Sequence, residues 1–165
     1  MVKSYAAPGV TLAKTWKILR PLPGGRWIFS RLLGWIVPYT GGIKAKIMEL
    51  RPGFSRVELA DRRRIRNHLR SIHAVALVNL GEMTSGLALL VGLPQDTRGI
   101  VVGISIEYFK KARGRLIAES HCEIPNIMEN TNHIIAAEIR DQEGDVVART
   151  NVTWRLGPIE NKSHD

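Results

Sequence analysis

At 165 residues, with 44% hydrophobic and 24% charged residues, the chain has the size and composition of one globular domain with its own core, and it carries no repeat or low-complexity tract. A formal net charge of +9 implies anionic partners: nucleic acid, anionic lipid or a phosphate-bearing small molecule. The lone Cys122 excludes an internal disulfide and a thiolate metal cluster, in keeping with a reducing, cytoplasmic setting.

Residues 1–42 read as a basic and aromatic extension. Trp16, Lys17, Arg20, Arg26, Trp27, Arg31 and Trp35 punctuate it, and Pro21-Leu22-Pro23-Gly24-Gly25 interrupts it. Two short helices are expected, near 11–20 and 26–37, each with an apolar face. Such helices either pack on the main domain or make peripheral membrane contact through residues 11–37, using Trp and Arg as anchors. The rigid break between them favours packing. No signal peptide is expected, because the most apolar stretch, Trp27 to Tyr39, starts late and is broken by Arg31.

The main domain is expected over residues 43–165. From Ile43 the period changes to two: Ile43 to Leu50 alternates, Arg51-Pro52-Gly53 turns, and Phe54 to Ala60 returns, which reads as a β-hairpin. After the polar stretch Asp61 to Arg70 comes an almost uninterrupted apolar run, expected to be a buried helix over about 73–91 and closed by Gly92 and Pro94. Its length would allow a membrane span, but His73, Asn79, Glu82 and its glycines argue against that. Four strands fit the remainder, at about 100–110, 114–124, 133–141 and 145–156. Turns are expected at Lys110–Gly114 and Asp141–Asp145. The order β-β-α-β-β-β-β gives an α+β layout, an antiparallel sheet with one long helix.

Glu82 is the single carboxylate of that buried run, and carboxylates are seldom buried unless something pairs with them or chemistry needs them. Asn79 and Ser85 lie beside it at three-residue spacing and Gly86 at four, making a narrow polar stripe suited to a substrate. The free N–H groups at the helix start, near His73 and Ala74, offer an oxyanion site. Asn67 lies just upstream in a loop. Nine positions separate His73 from Glu82, about 13 Å and half a turn, so the two cannot share a site within one chain. They could share one in a symmetric dimer, where each chain gives a different element to each site.

The spacing Asn67-x5-His73-x8-Glu82, followed by an apolar helix and a strand ending in Tyr108 and basic residues, resembles hotdog-fold thioesterases. The nearest branch is the phenylacetate-degradation (PaaI-like) type and its relatives of unassigned function, over about residues 43–156. The resemblance implies a hotdog fold and a substrate that is an acyl-CoA or an acyl-carrier thioester. It implies a homodimer or tetramer, no metal, and no cofactor beyond the CoA that the substrate carries. By position, Glu82 takes the role of base or nucleophile, Ala74 gives the oxyanion N–H, and Asn67 positions the substrate or water, with His73 as its neighbour. The family's His-Gly-Gly is His73-Ala74-Val75 here, and no Ser or Thr stands at Ile100-Val101-Val102.

Lys110, Lys111, Arg113 and Arg115 form the leading phosphate candidate for CoA, alongside Asn79 and Ser85 as substrate contacts. The Arg62-Arg63-Arg64-x-Arg66 run is a second basic cluster. Neither is interleaved with aromatics, so nucleic acid is not an expected partner. Cys122 next to His121 reads as a core residue rather than a Cys–His pair, because neighbouring strand residues face opposite ways. Three functions remain open: thioester hydrolysis, hydration or dehydration of an acyl thioester, and non-catalytic acyl-CoA or lipid binding.

Overall fold

In the computed structural model, which describes residues 8–159, the chain begins with α1 (Pro8–Leu19), α2 (Gly25–Ile36) and the one-turn α3 (Pro38–Gly41). The hairpin β1 (Lys46–Arg51) and β2 (Phe54–Leu59) follows, then the long helix α4 (Ala74–Leu90). The remaining strands are β3 (Thr97–Tyr108), β4 (Leu116–His121), β5 (Thr131–Arg140) and β6 (Val146–Pro158). All six strands form one antiparallel sheet in the order β1-β2-β4-β5-β6-β3. One long helix set against such a sheet is the hotdog architecture, the α+β class that the strand order implies.

The hairpin turns at Pro52-Gly53, where Gly53 adopts φ +76 and a side chain would come within 2.4 Å of the Cys122 carbonyl oxygen. Glycine is the residue that tolerates both conditions. Helix α4 is apolar all round because it contacts β2, β4, β5 and β6 on one side and α1 and α3 on the other. Leu80, Ala88 and Leu89 are fully buried, and each large side chain contributes about 1.5–3 kcal/mol by leaving water. Its buried hydroxyls are satisfied: Ser55 Oγ donates to the Thr84 carbonyl at 2.6 Å, and Thr84 Oγ1 donates to the Leu80 carbonyl at 2.6 Å.

The extension packs. Trp16 and Phe29 are buried edge to face, with ring centroids 5.1 Å apart, and Leu33 joins the same core. Ser30 Oγ accepts from the Ile47 N–H at 2.9 Å, which ties α2 to the edge strand β1. Helix α3 has no counterpart in the sequence periodicity. It forms because Val37 breaks α2 at φ −117, Pro38 starts a new turn, and Gly41 allows the two helices to touch. A Cβ on Gly41 would sit 2.2 Å from the Gly34 carbonyl oxygen. No helix among the described residues is long and apolar enough to cross a membrane.

At the opposite edge, β3 pairs with β6 alone. Ile100 and Val102 are exposed along it, Ile100 at 65%, and Ile104 beyond the bulge turns toward α4. A long, apolar edge, interrupted only by the bulge between Val101 and Gly103, is a template for another strand.

Candidate functional site

Glu82 lies in the middle of α4, half-buried, and burial pushes its carboxyl pKa up. No hydrogen bond or ion pair holds its carboxylate among the described residues. An unpaired, desolvated carboxylate binds a proton more readily than one in water, which suits a general base.

Two cavities meet at this side chain. The larger, about 430 Å³, runs between α1, α2 and α4, and Leu33, Ile36, Val37, Leu87, Leu90 and Trp154 make its walls apolar. The smaller, about 270 Å³, is bounded by Tyr39, Thr40, Val75, Val78, Asn79, Val101 and Ile104 and opens along the β3 edge. Glu82 and Thr40 line both.

Asn79 lies in the smaller cavity beside Glu82. Its Nδ2 donates to the Tyr39 carbonyl at 3.4 Å, and its buried Oδ1 accepts from nothing among the described residues. A buried acceptor without a donor costs about 1–3 kcal/mol, so Oδ1 is free to bind a ligand. Ser85 is fully buried. It donates to the Glu82 carbonyl at 2.9 Å and accepts from the Trp154 indole N–H at 3.4 Å. It therefore reaches the larger cavity only through Trp154. Gly86 makes room for that ring, since a Cβ there would lie 2.9 Å from the indole.

The start of α4 is built by its loop. Asn67 Oδ1 accepts from the N–H groups of Leu69 at 2.9 Å and Ser71 at 3.1 Å, and Arg70 takes φ +57. The carboxamide oxygen is thus spent on closing the loop. The His73 N–H then donates to the Ile65 carbonyl at 2.7 Å, which aims the helix N-terminus. His73 Nδ1 caps the helix by accepting from the Val75 N–H at 3.1 Å, which places the proton of the neutral ring on Nε2. The Ala74 N–H, in contrast, has no acceptor among the described residues and is exposed. The Tyr108 hydroxyl donates to the Ala74 carbonyl at 3.2 Å. Tyr108 thereby clamps this turn to β3.

The chain thus brings Glu82 and Asn79 to one cavity and leaves Asn67, His73 and Ala74 at the far end of the same helix. Tyr39, Thr40 and Trp154 also line the site. Only their packing reveals it, since nothing in their spacing marks them.

The basic turn after β3 is largely engaged. Lys110 Nζ sits among Asp141, Glu143 and Asp145 at 2.8, 2.8 and 2.7 Å, and the Asp141 carboxylate above all raises its pKa. Its ammonium occupies the space that a cation would take in that acidic cluster. Arg113 Nη2 donates to the Leu69 carbonyl at 3.4 Å, Arg115 lies 3.8 Å from Glu58, and Lys111 is exposed. Burial raises the Cys122 thiol pKa, the opposite of nucleophile activation, and the neighbouring His121 ring lies 4.5 Å from that of Phe54.

The sheet and central helix that hold this half-buried carboxylate form a hotdog fold. Residues 25–156 match the family described as Domain of unknown function (DUF4442), and the chain belongs to that family. The match takes in α2 and α3 along with the sheet. A comparison with curated proteins finds no match.

Among solved structures, the chain is similar to APC5556, at 24% identity and TM-score 0.77 over 90% of this chain and 99% of that one. It is also similar to PA5026 of Pseudomonas aeruginosa, a protein of unknown function named a probable thioesterase, at 20% identity and TM-score 0.72 over 83% and 97% of the two chains. The thioesterase HI1161 of Haemophilus influenzae aligns at 15% identity and TM-score 0.66, over 76% and 87%. These likenesses establish the shared fold.

Proposed function

We propose that the protein hydrolyses an acyl thioester, carried on CoA or an acyl carrier protein, at a site completed by a second copy of the chain. The observation that carries this reading is Glu82, an unpaired carboxylate at the junction of an apolar cavity and a smaller one that also holds Asn79. The larger cavity suits an acyl chain. The smaller, with the free Oδ1 of Asn79, suits the thioester and the start of the pantetheine arm.

In this mechanism the substrate carbonyl lies between Glu82 of one copy and the helix N-terminus of the other. Glu82 removes a proton from water as water attacks the carbonyl, or attacks it directly to form an anhydride that water then opens; on either route the C–S bond breaks and the thiolate leaves, taking up a proton as the free thiol. The Ala74 N–H of the second copy holds the developing oxyanion, helped by the positive end of the helix dipole. Asn67 and His73 act by fixing that N–H in place. Pairing of β3 with its copy would bring the two ends together, a homodimer or a tetramer built from such dimers.

Non-catalytic acyl-CoA binding is the second reading. It is favoured by Val75, whose side chain lines the smaller cavity where the related enzymes keep a bare glycine. Hydration or dehydration of an acyl thioester would need His73 to reach the substrate beside Glu82. Incubation with a panel of acyl- and enoyl-CoAs, following free thiol and double-bond absorbance, separates the three. Thiol release that is lost in Glu82→Gln supports hydrolysis, and binding without either signal supports the second reading.

A further inference from the structure

A third cavity, about 480 Å³, opens between α2, the Gly41–Ala45 linker and β1. Arg31, Lys44, Lys46 and Arg62 line it, Trp27 and Trp35 stand in its wall, and no carboxylate is among the lining residues. Some surface cations are paired, as Arg66 is with Asp61 at 2.6 Å, Arg149 with Glu138 at 2.6 Å and Lys110 with three carboxylates. Here Arg31, Lys44 and Lys46 have no carboxylate partner among the described residues, and Arg62 donates to the Ile43 carbonyl. Burial, and then the like charge of Arg31, lowers the Arg62 pKa. Converging cations without a counter-charge form an anion site.

The Trp-bearing wall belongs to an apolar surface. At about 100° per residue, Trp27, Ile28, Arg31, Leu32 and Trp35 share an arc roughly 140° wide, separate from that of the buried Gly25, Phe29 and Leu33. Trp27 is 60% exposed, Leu32 45% and Trp35 82%. Aromatic and aliphatic side chains flanked by Arg and Lys have the composition of a helix lying at a membrane interface. The first 48 residues carry eight Lys and Arg and no Asp or Glu, so a negative surface meets no opposing charge there.

We propose that α2 lies in the headgroup layer of an anionic membrane, with a lipid phosphate held by Arg31, Lys44, Lys46 and Arg62 and the Trp27–Trp35 face among the acyl chains. This assignment stands apart from the reaction at Glu82. The two are nonetheless neighbours, since Leu33 of α2 also lines the larger Glu82 cavity.

Sedimentation of the full chain with phosphatidylglycerol-containing and with pure phosphatidylcholine vesicles tests it. Binding is expected on the former, with a blue shift of tryptophan fluorescence, and is expected to weaken with added salt. Arg31→Gln with Lys44→Gln should weaken it by about 5-fold each, roughly 30-fold together, whereas Arg31→Lys should retain it. Arg155→Gln, outside the cavity, controls for net charge. Trp35→Ala should weaken binding while leaving the circular dichroism spectrum unchanged, since that side chain is mostly in water.

Three results would overturn the proposal. One is equal affinity of wild type and the double variant for anionic vesicles. Another is calorimetric binding of inorganic phosphate in the cavity with no vesicle binding, which would assign the site to a free phosphate. The third is a change of oligomeric state in Trp35→Ala with vesicle affinity intact, which would give the face to a second copy.

Discussion

Replacing Glu82 by Gln keeps the shape of the side chain and removes its charge, so it separates chemistry from structure. As base or nucleophile, Glu82 should take at least about 100-fold of the turnover with it. The effect on stability has a definite sign. Its carboxylate has no partner and its pKa is raised by burial, so the ionised form is disfavoured in the fold. Well below the ordinary carboxylate range, Glu82 is protonated both folded and unfolded, and the stability this confers is fully present. As pH climbs through the raised folded pKa, that stability is lost from the wild type, whereas the Gln variant has nothing to lose. An unpartnered group still half in water costs about 1 kcal/mol, the low end for buried polar groups. At this chain length that is about 2–4 °C in Tm. Turnover and thermal unfolding measured on one preparation, from pH 4 to 8, should therefore show the variant inactive and at neutral pH slightly more stable. A variant with a lower Tm and a rate close to wild type would refute the reasoning and make Glu82 a structural partner.

The remaining outcomes can be checked with few variants. Light scattering at micromolar concentration should find at least a dimer, and Ile100→Arg on the exposed face of β3 should yield a monomer without activity; a fully active monomer would dissolve the composite site. Neutralising Lys111 and Arg113 should raise KM for acyl-CoA severalfold at unchanged kcat, an effect that shrinks at high salt and is absent for a pantetheine thioester. An equal loss on both substrates would show that the turn matters for structure alone. Ile36→Trp should fill the larger cavity and cut hydrolysis of long acyl chains while sparing short ones, and an unchanged chain-length profile would take the acyl group out of that cavity.

The hairpin, the central helix and the four later strands were legible because each has its own period, and the change from two to an all-round apolar run marks where sheet gives way to helix. Glu82 was legible for the same reason, as a charge where the pattern allows none. What stayed hidden depends on residues far apart in the chain. Lys110 reads as a phosphate contact and Asp141–Asp145 as a turn; only antiparallel packing sets them within 2.8 Å. Asn67 by itself reads first as a turn residue and takes a substrate-positioning role only through the resemblance; its Oδ1 in fact closes the loop. Ser85 sits at helical spacing from Glu82, yet the indole of Trp154 from β6 claims its hydroxyl. Spacing along one helix shows which residues share a face, not which neighbour has already taken their hydrogen bonds.

The extension shows the same limit most clearly. Its two helices were legible, with packing on the domain and contact with a membrane as alternative uses of their apolar faces. In the structure one face of α2 packs and another stays exposed. Phe29 and Leu33 enter the core, while Trp27, Leu32 and Trp35 remain in water. Leu33, Ile36, Val37 and Thr40 then close the Glu82 cavity from above. A short helix anchored at Ser30 to the backbone of β1 thus serves as the wall of a site, and its outer face is left free for a partner. Because the wall and the outer face belong to one rigid turn of chain, whatever binds the outer face bears directly on the shape of the cavity beneath it.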